Sequence, residues 1–194
     1  MIIGITGGIA SGKSSVSDYL IKKGYDVIDS DILAHEAYNK DCPIFKDIIK
    51  QFDCLDKNGE IDRGKLGKIV FSDKEEKKKL EAIIHPYVFN RIEEEKKKKQ
   101  SGLVFVVMPL LFEVGYSDKV DMVWCVYVSE DVELERLMRR DGIDSEYAKK
   151  KITSQIPLSE KVNRSDYVID NSYSLEETYK NVDNVLNIIK KLEK

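Results

Sequence analysis

Apolar and polar positions along this chain alternate between two kinds of segment. Short runs of consecutive apolar residues, rich in β-branched side chains, predict strands buried on both faces. They fall at residues 1–6, 25–28, 103–108, 122–128 and 167–170. Between them the apolar positions recur at helical spacing. Val16, Tyr19 and Leu20 follow the first run, and Lys22-Lys23-Gly24 supplies a basic last turn and a glycine stop. Ser129, with Glu130 and Asp131 behind it, reads as the N-cap of another helix, and Asp144-Ser145 opens a further one that Pro157 ends. Residues 174–177 form a capping box before a last helix with Val182, Val185, Leu186 and Ile189 on one face. The pattern predicts an α/β fold, a parallel sheet of about five strands with helices on both faces.

Residues 36–100 break this alternation. Asp56-Lys57-Asn58-Gly59 signals a turn between Leu55 and Ile61, a small loop or hairpin. Residues 72–75 read as a capping box for a helix with Leu80, Ile83 and Ile84 on its apolar face. Pro86 is expected to interrupt or restart that helix and to bias His85 away from helical angles. Glu93-Glu94-Glu95 followed by four lysines reads as a solvated helix face, each pair contributing only ~0.2–0.5 kcal/mol. The whole region is expected to be a mostly helical insertion between sheet strands.

Composition narrows the class. At 194 residues the chain suits one domain with inserted parts. Charged residues make up 35% of it, yet the net charge is only −3, so no basic excess points to a nucleic-acid partner. Cys42, Cys54 and Cys125 are scattered without metal-ligand spacing and read as reduced thiols. The first residues lack a signal peptide, and no apolar run reaches membrane-spanning length. The expectation is a soluble cytoplasmic protein without a membrane partner.

The chemistry enters with Gly7-Gly8-Ile9-Ala10-Ser11-Gly12-Lys13-Ser14, which fits the phosphate-loop pattern between a predicted strand and a predicted helix. In such a loop the backbone from Ala10 through Ser15 turns its N–H groups around an anion. Lys13 reaches the outer phosphates of a nucleotide and the Ser14 hydroxyl ligates Mg²⁺. Asp29-Ser30-Asp31 closes the second strand, at the end where ligands gather in open sheets. Asp31 is there either a catalytic acid or the N-cap of the helix beginning at Ile32.

Two fragments echo a GTP-driven switch, Asp56-x-x-Gly59 and Asn163-Arg164-Ser165-Asp166. The first follows no buried strand, and the second precedes its strand and carries Arg where Lys is wanted. A small-molecule kinase accounts for more. Phosphoryl transfer needs mobile cations that close over the nucleotide, and Arg136 and Arg140, before the Asp141-Gly142 turn, suit one side of a lid. Arg139 is assigned to a solvated helix face.

Taken in order, the pieces resemble the dephospho-CoA kinase family over nearly the whole chain. The resemblance rests on Thr6-Gly7-Gly8-Ile9 leading into Ser11-Gly12-Lys13-Ser14, on Asp29-Ser30-Asp31 and on Ile61-Asp62-Arg63. It continues through Val70-Phe71, His85-Pro86, Pro109-Leu110-Leu111-Phe112-Glu113, Arg136, Arg140, Gln155, and Asp166 to Asn171. Ala10 and Ser15 depart from the family's usual Gly and Thr, and Ala10 must then accept a glycine's backbone angle. The resemblance implies ATP and Mg²⁺, with transfer of the γ-phosphoryl group to the ribose 3′-hydroxyl of dephospho-CoA. It makes Asp31 the catalytic acid and Arg136 and Arg140 lid arginines. It gives a core of residues 1–31, 101–137 and 165–194, a substrate-binding insertion at about 32–100 and a lid at about 138–164. Arg63 and His85 become substrate-binding candidates. Asn171 either borders adenine or ends its strand, and Glu113 is a second-shell acid for Mg²⁺. The alternative is a related kinase of a nucleoside or nucleoside monophosphate.

Overall fold

The computed structural model describes residues 1–99 and 102–192. The chain falls into two compact units, Met1–Ile28 with Gln100–Lys194, and Asp29–Lys99. The expected boundary at residues 100–101, and the expected core's last residues 193–194, lie outside the described residues.

Five strands form one sheet: β1 (Ile2–Gly7), β2 (Asp26–Asp29), β3 (Val104–Val107), β4 (Met122–Tyr127) and β5 (Tyr167–Asp170). Their order is β2-β3-β1-β4-β5. β1 runs parallel to both β3 and β4, and β4 parallel to β5. Side chains alternate across a strand, and the two faces differ accordingly. Ile3, Ile5, Phe105, Val107, Trp124, Val126 and Ile169 join one buried cluster with Val16 and Leu20 of α1 (Lys13–Lys22) and Val182, Val185, Leu186 and Ile189 of the final helix (Leu175–Leu192). On the opposite face Gly4 leaves room for Leu111, whose Cδ1 would lie 2.5 Å from any Cβ there. Two carboxylates fix the register by holding strand N–H groups, Asp121 at Ile2 and Asp166 at Val123. The capping box of the final helix is reciprocal: Ser174 N donates to Glu177, and Glu177 N donates to Ser174 Oγ.

The second unit is helical: α2 (Ser30–Glu36), α3 (Phe45–Gln51), α4 (Arg63–Ser72) and α5 (Lys74–Lys98). The turn at Asp56 closes with an antiparallel bridge between Leu55 and Ile61, as its sequence predicts. Three expectations are corrected. Ser72 does not cap α5; it ends α4, and the Asp73 carboxylate accepts from Glu75 N and Glu76 N instead. Pro86 neither interrupts nor restarts α5, and His85 is helical. A proline there forfeits one backbone bond, but Leu80, Ile84, Val88 and Ile92 bury one stripe on both sides of it and hold the turns together. Asp31 is not the cap of α2: the helix begins at Ser30, and the Asp29 side chain accepts from Asp31 N at 2.8 Å.

Beyond β4 the first unit carries α6 (Glu130–Asp141), α7 (Ser145–Ile152) and α8 (Leu158–Asn163), so the final helix is α9. Ser129 occupies the cap position of α6 without a side-chain bond, whereas Asp144 caps α7 by accepting from Tyr147 N. Pro157 does not end α7, which stops at Ile152; it is the cap residue of α8.

Candidate active site

β1 hands the chain to the phosphate loop, which ends where Lys13 opens α1. Gly12, at the cap position, has φ +89° and Ala10 has φ +57°. Glycine meets the first angle without a clash, whereas alanine meets the second at a cost of about 1–2 kcal/mol. The sequence-based expectation that Ala10 must take a glycine's angle is therefore realised. Ser11 N closes the turn on Gly8 O at 3.3 Å, and Ser15 N bonds Gly12 O at 3.0 Å. Lys13 Nζ arches back over the loop, donating to Gly8 O at 2.7 Å and Gly7 O at 3.2 Å. The Ser11 hydroxyl is buried and has no partner among the described residues, an orphan that suits a cradle for anionic oxygens.

Arg136, on α6, belongs to this site: its Nη1 lies within 3.9 Å of the place a Cβ on Gly12 would take. Arg140, a turn further on, is exposed and is held by Asp141, Nε to Oδ1 2.8 Å. That guanidinium, together with Lys151, pulls the Asp141 carboxyl down to about 2. Arg139 is exposed, as expected of a solvated face.

Asn171 follows β5 and is buried. Its Nδ2 donates to Ser11 O at 2.8 Å, and its Oδ1 accepts from Thr178 at 2.7 Å. Both ends of the amide are thus engaged within the protein. Asn171 braces the loop through this amide.

Glu113 accepts from Ile156 N and pairs with the fully buried Lys161 at 2.9 Å. Lys161 Nζ also donates to Pro109 O at 2.7 Å. The carboxylate read as a second-shell acid for Mg²⁺ thus has a protein cation as its partner. Among the described residues no group of three or more His, Cys, Asp or Glu could hold a metal ion. Ser14, exposed at the start of α1, is the hydroxyl that could hold Mg²⁺, an ion that takes most of its ligands from phosphate and water.

Within the second unit, Arg63 Nη2 meets His35 Nε2 at 3.0 Å, and its guanidinium stands 5.8 Å from the Tyr38 ring. These residues line a cleft of about 1530 Å³ with Arg91, Tyr87 and Cys42. Arg91 is tied to Glu36 and Glu94. Tyr87 is pushed up to about 12 by burial, with a hydrogen bond to Cys42 adding to it. His85 does not line this cleft; it is half-buried on α5, stacked on Phe89 with centroids 6.0 Å apart. Burial lowers its pKa. The structure therefore brings His35 to Arg63, and not His85.

Sequence reasoning missed the buried charges Glu133, against the loop at Gly8, and Lys161, at Pro109, as well as His35 and Tyr38. Glu133 left one signal: it lies four residues before the buried Leu137, on an apolar stripe. Lys161 left none that separates it from the other lysines.

The dephospho-CoA kinase family model matches residues 1–177. A Fusobacterium nucleatum dephospho-CoA kinase is 45% identical over 94% of this chain and 95% of its own length. The crystal structure of a Thermus thermophilus protein superposes with a TM-score of 0.86 at 36% identity, covering 96% of each chain. Dephospho-CoA kinase from Campylobacter jejuni does so with a TM-score of 0.72 at 32% identity, covering 100% of this chain and 98% of its own. A nearly chain-long match at such identity, on a parallel sheet that carries the phosphate loop after its first strand, is more than a shared fold, and the chain belongs to the dephospho-CoA kinase family.

Proposed function

We propose that this chain transfers the γ-phosphoryl group of ATP to the ribose 3′-hydroxyl of dephospho-CoA, with the roles divided as follows. The family match over residues 1–177 carries the choice of acceptor. The backbone from Ala10 through Ser15 cradles the nucleotide phosphates, and Asn171 holds that backbone in shape through Ser11 O. Lys13 exchanges the carbonyls of Gly7 and Gly8 for phosphate oxygens. Arg136 stands beside Gly12 to meet the same phosphates. Arg140 leaves Asp141 for the phosphates when the lid, residues 138–164, closes. Ser14 holds Mg²⁺, which when bound neutralises charge on the phosphates.

Asp31, in the first turn of α2, orients the acceptor hydroxyl and takes its proton late in the transfer. The unit Asp29–Lys99 is the substrate-binding insertion, and its cleft, with Arg63 as an anionic-group anchor, receives the CoA-like arm. Arginine suits this because its planar fork binds phosphate through two hydrogen bonds at once. The unpaired Cys42, Cys54 and Cys125 support a reducing, cytoplasmic setting.

ADP release measured with ATP, Mg²⁺ and a panel of acceptors tests the proposal. Dephospho-CoA should be turned over far faster than AMP, CMP or uridine, and chelation by EDTA should stop the reaction. Strong turnover of CMP or uridine with none of dephospho-CoA would replace this reading with a nucleotide or nucleoside kinase.

A further inference from the structure

Two charged residues are buried among those described, Glu133 and Lys161, and Glu133 stands beside the phosphate loop. Lys161 has its own carboxylate, Glu113, and the Pro109 carbonyl. Glu133 is different, because it lies against loop backbone and has Lys13 of the loop among the charges acting on it. Burial raises the pKa of the carboxyl, and the charges of Lys13 and Lys161 together with the backbone of Ile9 pull it back. Its Oε1 approaches Gly8 so closely that a Cβ there would lie 2.1 Å away, and Leu158 of α8 flanks the same point at 3.3 Å. No role assigned above uses it.

The residue after Ile9 is Ala10, at φ +57°. Left-handed angles disfavour alanine relative to glycine by about fivefold or more in population. A residue persists in such a region only where its surroundings over-determine it. The turn is closed by the long Ser11 N to Gly8 O bond, 3.3 Å, by Lys13 Nζ on Gly8 O and Gly7 O, and by Asn171 on Ser11 O, none of which touches Ile9 or Ala10. Glu133, anchored in the first turn of α6, supplies a further restraint from outside the loop, at Gly8.

We propose that Glu133 is a positioning residue of the phosphate loop, whose oxygen holds the Ile9 N–H and so keeps Ala10 left-handed and the cradle formed before nucleotide binds. The loop is held by the oxygen rather than by the charge, although Lys13 and Lys161 both favour the ionised carboxylate. The proposal rests on the reading of this loop as the ATP cradle.

The test uses the full chain with Glu133→Gln, Glu133→Met, Ala10→Gly and the Glu133→Met/Ala10→Gly double variant. ATP affinity is measured by calorimetry, KM and kcat by ADP release, and Tm by calorimetric scan. Glu133→Met keeps the side chain's length but removes the acceptor. It should weaken ATP binding about tenfold, as the loss of a hydrogen bond to a charged group does, with KM rising more than kcat falls. Glu133→Gln should stay within about threefold of the parent, because its amide oxygen still accepts. In the Ala10→Gly background the same Met substitution should cost only about twofold, because glycine needs no restraint to hold that angle.

Equal losses in both backgrounds would overturn the coupling to Ala10. A Glu133→Met protein with unchanged ATP affinity would show Glu133 to be mere filling. One that fails to fold in either background would show that it holds the fold and not the loop. An inability of the unaltered chain to bind ATP would sink this inference together with the reading of the loop; the other outcomes sink the inference alone.

Discussion

Asn171 Nδ2 lies 2.8 Å from the carbonyl of Ser11, a residue 160 positions earlier in the chain. The end of β5 is thereby fastened to the phosphate loop, and Thr178 of α9 fastens the other end of the same amide. The brace is tight: a Cβ on Gly12 would come within 2.1 Å of that nitrogen. Asn171→Leu keeps the volume roughly constant but leaves Ser11 O and the Thr178 hydroxyl short of a partner. It should cost about 1–3 kcal/mol in denaturant unfolding and weaken ATP binding roughly tenfold. ATP affinity equal to that of the parent, in a protein that is still folded, would reduce Asn171 to a strand terminator.

Lys13 ties the loop together, since it donates to two loop carbonyls, and it is also the cation proposed to serve the nucleotide. Lys13→Ala should therefore lower stability slightly, by no more than about 1 kcal/mol for such partly exposed bonds. Turnover should fall by at least ~10²–10³-fold, the usual cost of removing a donor aimed at transition-state charge. A melting curve and a single-turnover assay on the same sample separate the two effects. Near-normal turnover would show that this loop is not the phosphate cradle.

Arg140 is expected to exchange Asp141 for phosphate on closure. The exposed pair with Asp141 contributes about 0–1 kcal/mol, so Arg140→Ala should leave Tm almost unchanged while kcat falls ~10²-fold. The pH dependence has a definite sign. The Asp141 carboxyl is depressed to about 2, so whatever the pair contributes is present above the ordinary carboxylate range and is lost as pH falls through about 2. Between about pH 5 and 9, Asp141 should impose no inflection on kcat. A variant that melts early while its folded fraction turns over normally would make Arg140 structural.

Much of this arrangement was legible in the sequence, for reasons visible in particular residues. β3 and β4 announce themselves because both of their faces are buried, so Val104-Phe105-Val106-Val107 needs no alternation. The phosphate loop is legible because its backbone geometry restricts which residues fit. Caps were misplaced by one or two positions, at Asp73 rather than Ser72 and at Asp29 rather than Asp31. Adjacent polar residues all carry capping oxygens, and only backbone angles decide which one is used. Pro86 misled because its local cost is outweighed by a buried stripe running the length of α5. Glu133 and Lys161 were invisible in their roles, since a charge is buried only through partners distant in sequence, here Gly8 and Pro109.

Asp31 admits the sharpest test, because the structure removes the competing explanation for it. The cap of α2 is the Asp29 side chain, and what it accepts is the backbone N–H of residue 31, which any substitution except proline retains. Asp31→Asn should therefore leave stability within about 0.5 kcal/mol of the parent and ATP affinity unchanged. An amide cannot take a proton, so if Asp31 aligns the acceptor hydroxyl and accepts its proton, kcat should fall ~10²-fold or more. The loss stays below what a strong-base mechanism would suffer, because the transition state is largely dissociative. Asp29→Asn is the matched control: asparagine caps about as well as aspartate, so this variant should keep both its stability and its turnover. Melting temperature, ATP affinity and single-turnover rate on the two variants then give a crossed result. A rate loss at Asp29→Asn with none at Asp31→Asn would move the catalytic carboxylate two residues back along the chain, onto the residue that caps α2.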